Sequence, residues 1–524
     1  MIQLEDQSLI ENKIKEYLNK KYVWSEFLEP PLIFNDEQVQ FARQIFRGYL
    51  SDIIPEPIKE DLEYLLLYKL SDPPLRAKLL KEWADKKNSD LEDASKITFE
   101  FEDGSCYRAV YDLIIYDKMT SGLFLPTILD NLKKLEKYNY ILDLRDACHY
   151  IRLHSLLTHT VELDTTDIKI IELLSKDPLI SNIDAANRLG LSRNTFSNRL
   201  ISLQKRGCVF FNGRINLEKL GLKILTVMTD QVIPKLPYMR IVQELRGGST
   251  IYLYSFNIPD EFLVHFIELL KPYIRNAEYW IDEGPGRHSL SLRNSYDTVN
   301  KKWAFNWENW ALWVRKVLDE SWHTLYVSGD VEEASAREGF NLNSVGYDLV
   351  DLELLNQLSY DFKQPIRDIS LKLGISATSV FERKTRLISA GVVKPTLFVE
   401  NIGLDEHVFI KIKGSEKIIN SVESGLLDLP SVYIFRARSL SGEKALNAYL
   451  FLPKGSLVMV DYTLKNYLED IGEDVDFKLF YRLKQNYLSQ GLPFTFENSY
   501  LYKEEFKKWV LPQKTIIKIL KERV

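Results

Sequence analysis

The sequence is poor in the residues that build covalent or metal-held scaffolds. Its 524 residues include only 3 cysteines, 5 methionines and 7 histidines. Cys106, Cys148 and Cys208 lie far apart and in no paired spacing, which excludes a disulfide framework and a zinc knuckle. His149, His154 and His159 recur every fifth residue. Five residues turn a helix by about 500°, so the three imidazoles drift around the axis and cannot share a metal. Neither a metal site nor a cofactor is expected. No apolar run approaches the ~20 residues that span a bilayer. The opening MIQLEDQSLIENK is too acidic and polar for a secretory signal. A soluble cytoplasmic protein with no membrane partner is expected. An excess of positive charge is missing too. The formal net charge is −6, so any nucleic-acid surface must be confined to small basic units. Gly284-Pro285-Gly286 has no third glycine and no following helix, and reads as a turn rather than a phosphate loop. With no triad or paired carboxylates in view, the chain does not read as an enzyme.

What is present is an ordinary globular composition, 45% hydrophobic and 27% charged, with length for three to five domains. Residues 1–160 read as a mostly helical domain. Stretches 60–70, 75–86 and 124–157 carry apolar residues at helical spacing. Proline pairs break the pattern, and a strand is expected over 97–101. The remainder repeats itself. Residues 167–209 align with 351–393 without a gap, at an offset of 184. Asp167 meets Asp351, Leu189-Gly190 meets Leu373-Gly374, Ser192 meets Ser376, Arg199 meets Arg383 and Gly207 meets Gly391. Further on, residues 292–296 resemble 483–487 and 305–309 resemble 494–498. The domains expected are 1–160 helical, 161–217 and 346–400 DNA-binding-like, and 218–326 and 401–524 α/β with aromatic helical tails. A polar linker is expected at 327–345. The period is too long for a solenoid, so a tandem duplication is read.

The first copy has the signals of a winged helix-turn-helix. Ile168, Ile171 and Leu174 share one face of a first helix, with Asp164 as its cap. Residues 183–189 form a second helix, and Gly190 takes the tight turn. Ser192 caps a third helix, 193–206, that Gly207 ends. Asn212-Gly213 then reads as a two-residue hairpin turn between short strands. The third helix exposes Arg193, Asn194, Thr195, Ser197 and Asn198 near its N-terminal end, where a recognition helix meets base edges. Arg matches guanine and Asn matches adenine. Arg199, Lys205, Arg206 and Arg214 are placed as phosphate contacts. In the second copy the recognition helix is 376–390. Its DNA-contact candidates are Ser376, Thr378, Ser379, Arg383, Lys384 and Arg386. There Phe381 and Glu382 replace Ser197 and Asn198. A carboxylate repels phosphate, and an exposed Phe points instead to a protein partner. The stripe Trp303, Phe305, Trp307, Trp310 and Trp313 reads as packing rather than base stacking.

Over Asp167–Gly207, and more loosely over Asp351–Gly391, the sequence resembles the Lrp/AsnC family of bacterial and archaeal transcriptional regulators. The resemblance implies an α+β chain in which each helix-turn-helix is followed by a ferredoxin-like βαββαβ (RAM-like) domain for dimerisation and effector sensing. The second copy fits that order over 407–483. The first, over 223–282, keeps only a stub where the first helix belongs. The family's Gly-Asp-type effector turn is replaced by Gly247-Gly248 and Gly442-Glu443. The resemblance implies double-stranded DNA as partner, with pairing as a homodimer or as an intramolecular pseudo-dimer. A scaffold that uses its winged helices to bind proteins, such as transcription machinery, is the alternative reading. A related branch, the siroheme decarboxylases, uses paired copies of the same two-domain unit and is the remote alternative.

Overall fold

The computed structural model divides the chain into two units, residues 1–159 and 160–524. In the second, the described residues are 161–318 and 346–522, with short breaks at 293–294, 471–474, 490–491 and 497–498. In the first they are mainly 4–18, 36–50, 56–71, 99–100, 106–107 and 124–136. The expected linker 327–345, most of 75–86, and the three regularly spaced histidines lie outside them. Among the described residues no helix is long and apolar enough to cross a membrane.

The first unit contains helices α1 (Leu4–Leu18), α2 (Asp36–Arg47) and α3 (Glu56–Lys69), a short antiparallel pair β1 (Phe99–Glu100) and β2 (Cys106–Tyr107), and α4 (Phe124–Glu136). Ile58, Leu62, Leu65 and Leu66 recur at helical spacing along α3 and are buried, as are Leu125, Leu129 and Leu132 of α4.

The second unit runs twice through a similar order. Three helices come first: α5 (Thr165–Lys176), α6 (Asn182–Leu189) and α7 (Arg193–Lys205). Strand β3 (Val209–Ile215) leads to β4 (Leu222–Thr229), β5 (Met239–Arg246), β6 (Thr250–Pro259), helix α8 (Leu263–Leu270) and β7 (Glu278–Leu290). The hairpin β8 (Tyr296–Asp297) and β9 (Lys302–Trp303) and helix α9 (Trp307–Leu318) form a tail. The second pass is α10 (Leu349–Tyr360), α11 (Ile366–Leu373), α12 (Ala377–Ser389) and β10 (Val393–Val399). Then come β11 (Glu406–Lys413), α13 (Glu416–Leu426), β12 (Ser431–Arg438), β13 (Lys444–Leu452), α14 (Leu457–Asp470) and β14 (Asp476–Ser489). Its tail holds β15 (Thr495–Phe496), β16 (Ser499–Tyr500), β17 (Tyr502–Lys503), β18 (Lys508–Trp509) and α15 (Gln513–Lys521). No helix is assigned between β4 and β5, where the sequence reading leaves only a stub.

The eight long strands close into one barrel in the order β11-β13-β12-β7-β4-β6-β5-β14. Each pass supplies four neighbouring strands, and β12·β7 and β14·β5 are the seams. Closure leaves neither sheet an unpaired edge. Strand alternation separates two cores. Val408, Ile410 and Ile412 of β11 pack outward with Leu446, Ala448 and Leu450 and with Ile418 and Val422 of α13. Phe409 faces the other way, onto Met228, Leu245, Leu253 and Phe480 from both halves. The lumen also holds charge. Glu278 of β7 accepts from Lys411, and from Lys478 Nζ at 2.8 Å, although β7 pairs with neither of their strands. Lys411 is 1% exposed and lies 3.9 Å above the Trp280 ring.

Two expectations are corrected. Asn212-Gly213 is not a hairpin turn. Val209–Ile215 runs straight and pairs antiparallel with Val393–Val399, Val209 opposite Val399. Gly213 is needed for another reason: a Cβ there would lie 2.7 Å from the Leu358 carbonyl oxygen of α10. The tail alignment is also different. Residues 483–487 belong to strand β14, so they are not the counterpart of 292–296. The matching pieces are 296–303 (YDTVNKKW) and 502–509 (YKEEFKKW). In both hairpins Tyr packs edge-on against Trp, at 5.4 and 5.3 Å, and the lysine before the Lys-Trp pair, Lys301 or Lys507, has positive φ.

Candidate nucleic-acid interface

The recognition helices are held by a repeated capping device. Asp164 caps α5 by accepting from the Asp167 amide, and Asp167 returns the bond to the Asp164 amide. Asp348 and Asp351 do the same for α10. Gly190 and Gly374 take left-handed conformations, φ 67° and 63°, at the turns. Ser192 and Ser376 then cap α7 and α12 through the amides of Thr195 and Ser379.

This device consumes several of the expected phosphate contacts. Arg199 donates to Asp164, and to Asp167 at 3.2 Å. Partial burial opposes ionisation of Asp164, but the Asp167 amide and the Arg199 guanidinium outweigh it and hold the carboxyl below its usual range. Arg383 donates to Asp348 and Asp351 at 2.8 Å. Arg386 donates to Asp351 and to the Gly346 carbonyl, both at 2.6 Å. Lys384 donates to the Phe362 carbonyl at 2.7 Å and sits over the Phe362 ring. Burial lowers its pKa. Arg206 donates to the Glu162 carbonyl at 2.9 Å. Arg214 turns inward, half-buried, and donates to the Gly286 carbonyl at 3.1 Å, so it is not among the outward side chains expected as phosphate contacts. These arginines brace the three-helix units, and the Asp164–Asp167–Arg199 set, repeated at the same offset, is the sequence signal for it. The Lys205 side chain lies outside the described residues.

What remains outward on α7 is Arg193, Asn194, Thr195 and Asn198, all exposed, with Ser197 half-buried and accepting from Asn182 at 3.2 Å. Arg193 makes no ion pair among the described residues. Sequence reasoning missed Ile201, which is also exposed on this helix. On α12, Thr378 is exposed and Ser379 half-buried, beside an exposed Glu382 and a Phe381 that is 61% exposed. Leu371 of α11 is 71% exposed, so the second unit presents apolar side chains where the first presents polar ones.

Strand β3 follows α7, and β10 follows α12, so the β3–β10 ribbon ties the two three-helix units together. Phe362 of the second unit also donates its amide to the Phe211 carbonyl of β3 at 2.7 Å. The stripe Trp303, Phe305, Trp307, Trp310 and Trp313 is half-buried or buried, whereas Phe506 of the second tail is exposed. Trp310 is buried and donates to the Gly425 carbonyl at 2.8 Å.

Comparison with known proteins agrees with this geometry. Residues 163–209 match the family model described as winged helix-turn-helix DNA-binding. An uncharacterized HTH-type transcriptional regulator of Pyrococcus horikoshii is 33% identical over 82 residues, 16% of this chain. The chain spans about half, 51%, of that relative's length. Similar solved structures include LrpC of B. subtilis, 21% identical over 23% of this chain and 94% of its own, TM-score 0.19. An AsnC family regulator of Agrobacterium tumefaciens is 16% identical over 25% of this chain and 96% of its own, TM-score 0.19. The siroheme decarboxylase NirDL is 12% identical over 68% of this chain and all of its own, TM-score 0.37. The winged-helix reading drawn from the sequence over the first three-helix unit thus recurs in the family model.

Proposed function

We propose that this chain is a non-enzymatic, DNA-binding transcriptional regulator that reads double-stranded DNA mainly with α7. The carrying observation is the exposed Arg193-Asn194-Asn198 surface at the N-terminal end of a capped third helix, inside the segment matched to the DNA-binding family. Arg193 is suited to guanine and the two asparagines to adenine, and Ile201 offers an apolar contact for a thymine methyl. In the second unit, Thr378 and Ser379 are the remaining DNA candidates, because Arg383, Lys384 and Arg386 already have acceptors. The two halves are read as a tandem duplication that closes on itself as an intramolecular pseudo-dimer. The repeated order of elements and the shared barrel support that reading. The domains proposed are 161–217 and 346–400 for DNA and 218–326 and 401–524 for pairing, with 1–160 separate. A duplex partner fits a cytoplasmic setting.

The test is duplex binding by the full chain across salt concentrations, with selected preferred sequences. Binding should weaken steeply with salt. Arg193→Ala and Asn194→Ala should each cost ~1–3 kcal/mol on the preferred site and flatten sequence preference. Salt-insensitive binding, or unchanged preference in both variants, would reject the proposal.

A further inference from the structure

Beneath the β3–β10 ribbon, one mouth of the barrel holds two arginines, Arg214 and Arg240, that pair with no carboxylate among the described residues. Arg214 reaches down from β3 to the Gly286 carbonyl of β7, and that is its one hydrogen bond among the described residues. Gly286 belongs to the Gly284-Pro285-Gly286 stretch, which is a bulge inside β7 rather than a terminal turn. It has φ 64°, and a Cβ would lie 2.7 Å from the Phe435 ring. Arg240 comes from a bulge in β5, where register shifts between Met239 and Ile241. Burial first, then the Arg240 charge, hold Arg214 below its ordinary value against the opposing pull of Tyr433. Neither arginine forms an ion pair among the described residues. One rung along, Asn257 of β6 is 1% exposed with neither amide atom hydrogen bonded.

The walls of this mouth are flat and aromatic. Tyr433 stacks on His288 at 4.5 Å, on Phe435 at 5.9 Å and on Phe398 of the ribbon at 6.2 Å, with interplanar angles of 29°, 20° and 10°. All four rings keep some accessible surface. His288 adds no charge near neutrality, because burial, then Arg214, push its pKa down to about 4. A guanidinium fork matches the planar geometry of a carboxylate. Parallel rings match a planar apolar body. Two half-buried cations without a counter-ion among the described residues are costly, and an anion would relieve that cost.

We propose that this mouth binds a small aromatic carboxylate, its charge held by Arg214 and Arg240 and its ring laid against Tyr433 and His288. The site is at the other end of β5 from the Gly247-Gly248 turn. Its position also gives it leverage. Arg214 and Phe398 belong to the two ribbon strands that carry the recognition helices, so an occupant pulls on their mounting. This second consequence rests on the DNA-binding reading; the binding site itself does not.

The experiment is calorimetric titration of the full chain with indole-3-acetate, with indole as the uncharged body and acetate as the bare charge. Indole-3-acetate should bind one per chain, and each fragment at least about tenfold more weakly, a factor worth ~1.4 kcal/mol. Arg240→Gln should weaken indole-3-acetate at least about tenfold without shifting the thermal transition, and Arg214→Gln should act in the same direction. Wild-type affinity in both variants, equal binding of the fragments, or no binding heat at millimolar ligand overturns the site. Duplex affinity should change with indole-3-acetate in the native chain and not in Arg240→Gln. A duplex affinity indifferent to bound ligand overturns the coupling alone. Absent duplex binding with intact carboxylate binding overturns the regulator reading and leaves the site standing.

Discussion

At the scale of single residues, the fold makes charged groups do structural work that their position in the sequence does not announce. Arg199 and Arg383 look like phosphate ligands by helix position, yet each is spent on a pair of aspartates 32 and 35 residues upstream. Of the arginines on α7 and α12, Arg193 stays outward and without an ion pair among the described residues. Asp282 shows the opposite case, a carboxyl whose charge the barrel resists. Burial raises its pKa from 3.8 to about 7, against a weak bond from Thr226 Oγ1 at 3.4 Å. The folded protein therefore keeps a proton that the unfolded chain has lost between about pH 4 and pH 7. Stability contributed by this group falls as pH rises through that window and is flat above it. Asp282→Asn should remove that slope, so the variant gains on the native protein between pH 4 and pH 8 in melting temperature. Parallel melting profiles across the series would show that Asp282 is ionised throughout.

Among elements, legibility followed range. The three-helix units were readable because their signals are local: Ser192 and Ser376 as caps, Gly190 and Gly374 as left-handed turns, and apolar faces on α5 and α7. Most strands of the barrel were readable for the same reason, since each is a short apolar run between turn residues. The ribbon was not, because its partner is almost 200 residues away, Val209 opposite Val399. Asn-Gly is a strong hairpin signal only when the neighbouring strand follows at once. The tails were mismatched because the offset grows from 184 to 206 across the second α/β half, which carries α13 and the longer loops; Tyr296 corresponds to Tyr502 and Trp303 to Trp509. Gly213→Ala tests the ribbon directly. Its methyl would meet the Leu358 carbonyl, a backbone atom that cannot swing aside. The substitution should cost ~1–3 kcal/mol as an overpacked site, read from denaturant midpoints. An unchanged midpoint in Gly213→Ala would show that this strand does not press against α10.

For the whole molecule, the barrel is the joint. Each half contributes four strands, and the Glu278–Lys411–Lys478 cluster clasps them through the lumen. Lys411 has little water to fall back on, so Glu278→Gln strands a buried ammonium. A loss of ~3–5 kcal/mol is expected, visible as a lowered unfolding midpoint of the 160–524 unit, with Lys411→Met in the same background restoring much of it. If Lys411→Met restores nothing, the clasp is not what Glu278 contributes.

The tails carry the joining further. The indole of Trp303 donates to the Ile402 carbonyl in the later half, and that of Trp509 donates to the Leu220 carbonyl in the earlier one. Tyr238 of the earlier half likewise gives its hydroxyl to the Val510 carbonyl. The earlier half thus leaves the ribosome with an empty mortise, and the tenon that fills it is translated 289 residues later. Until that tenon is seated, the earlier half lacks its finished surface at Leu220 and Tyr238.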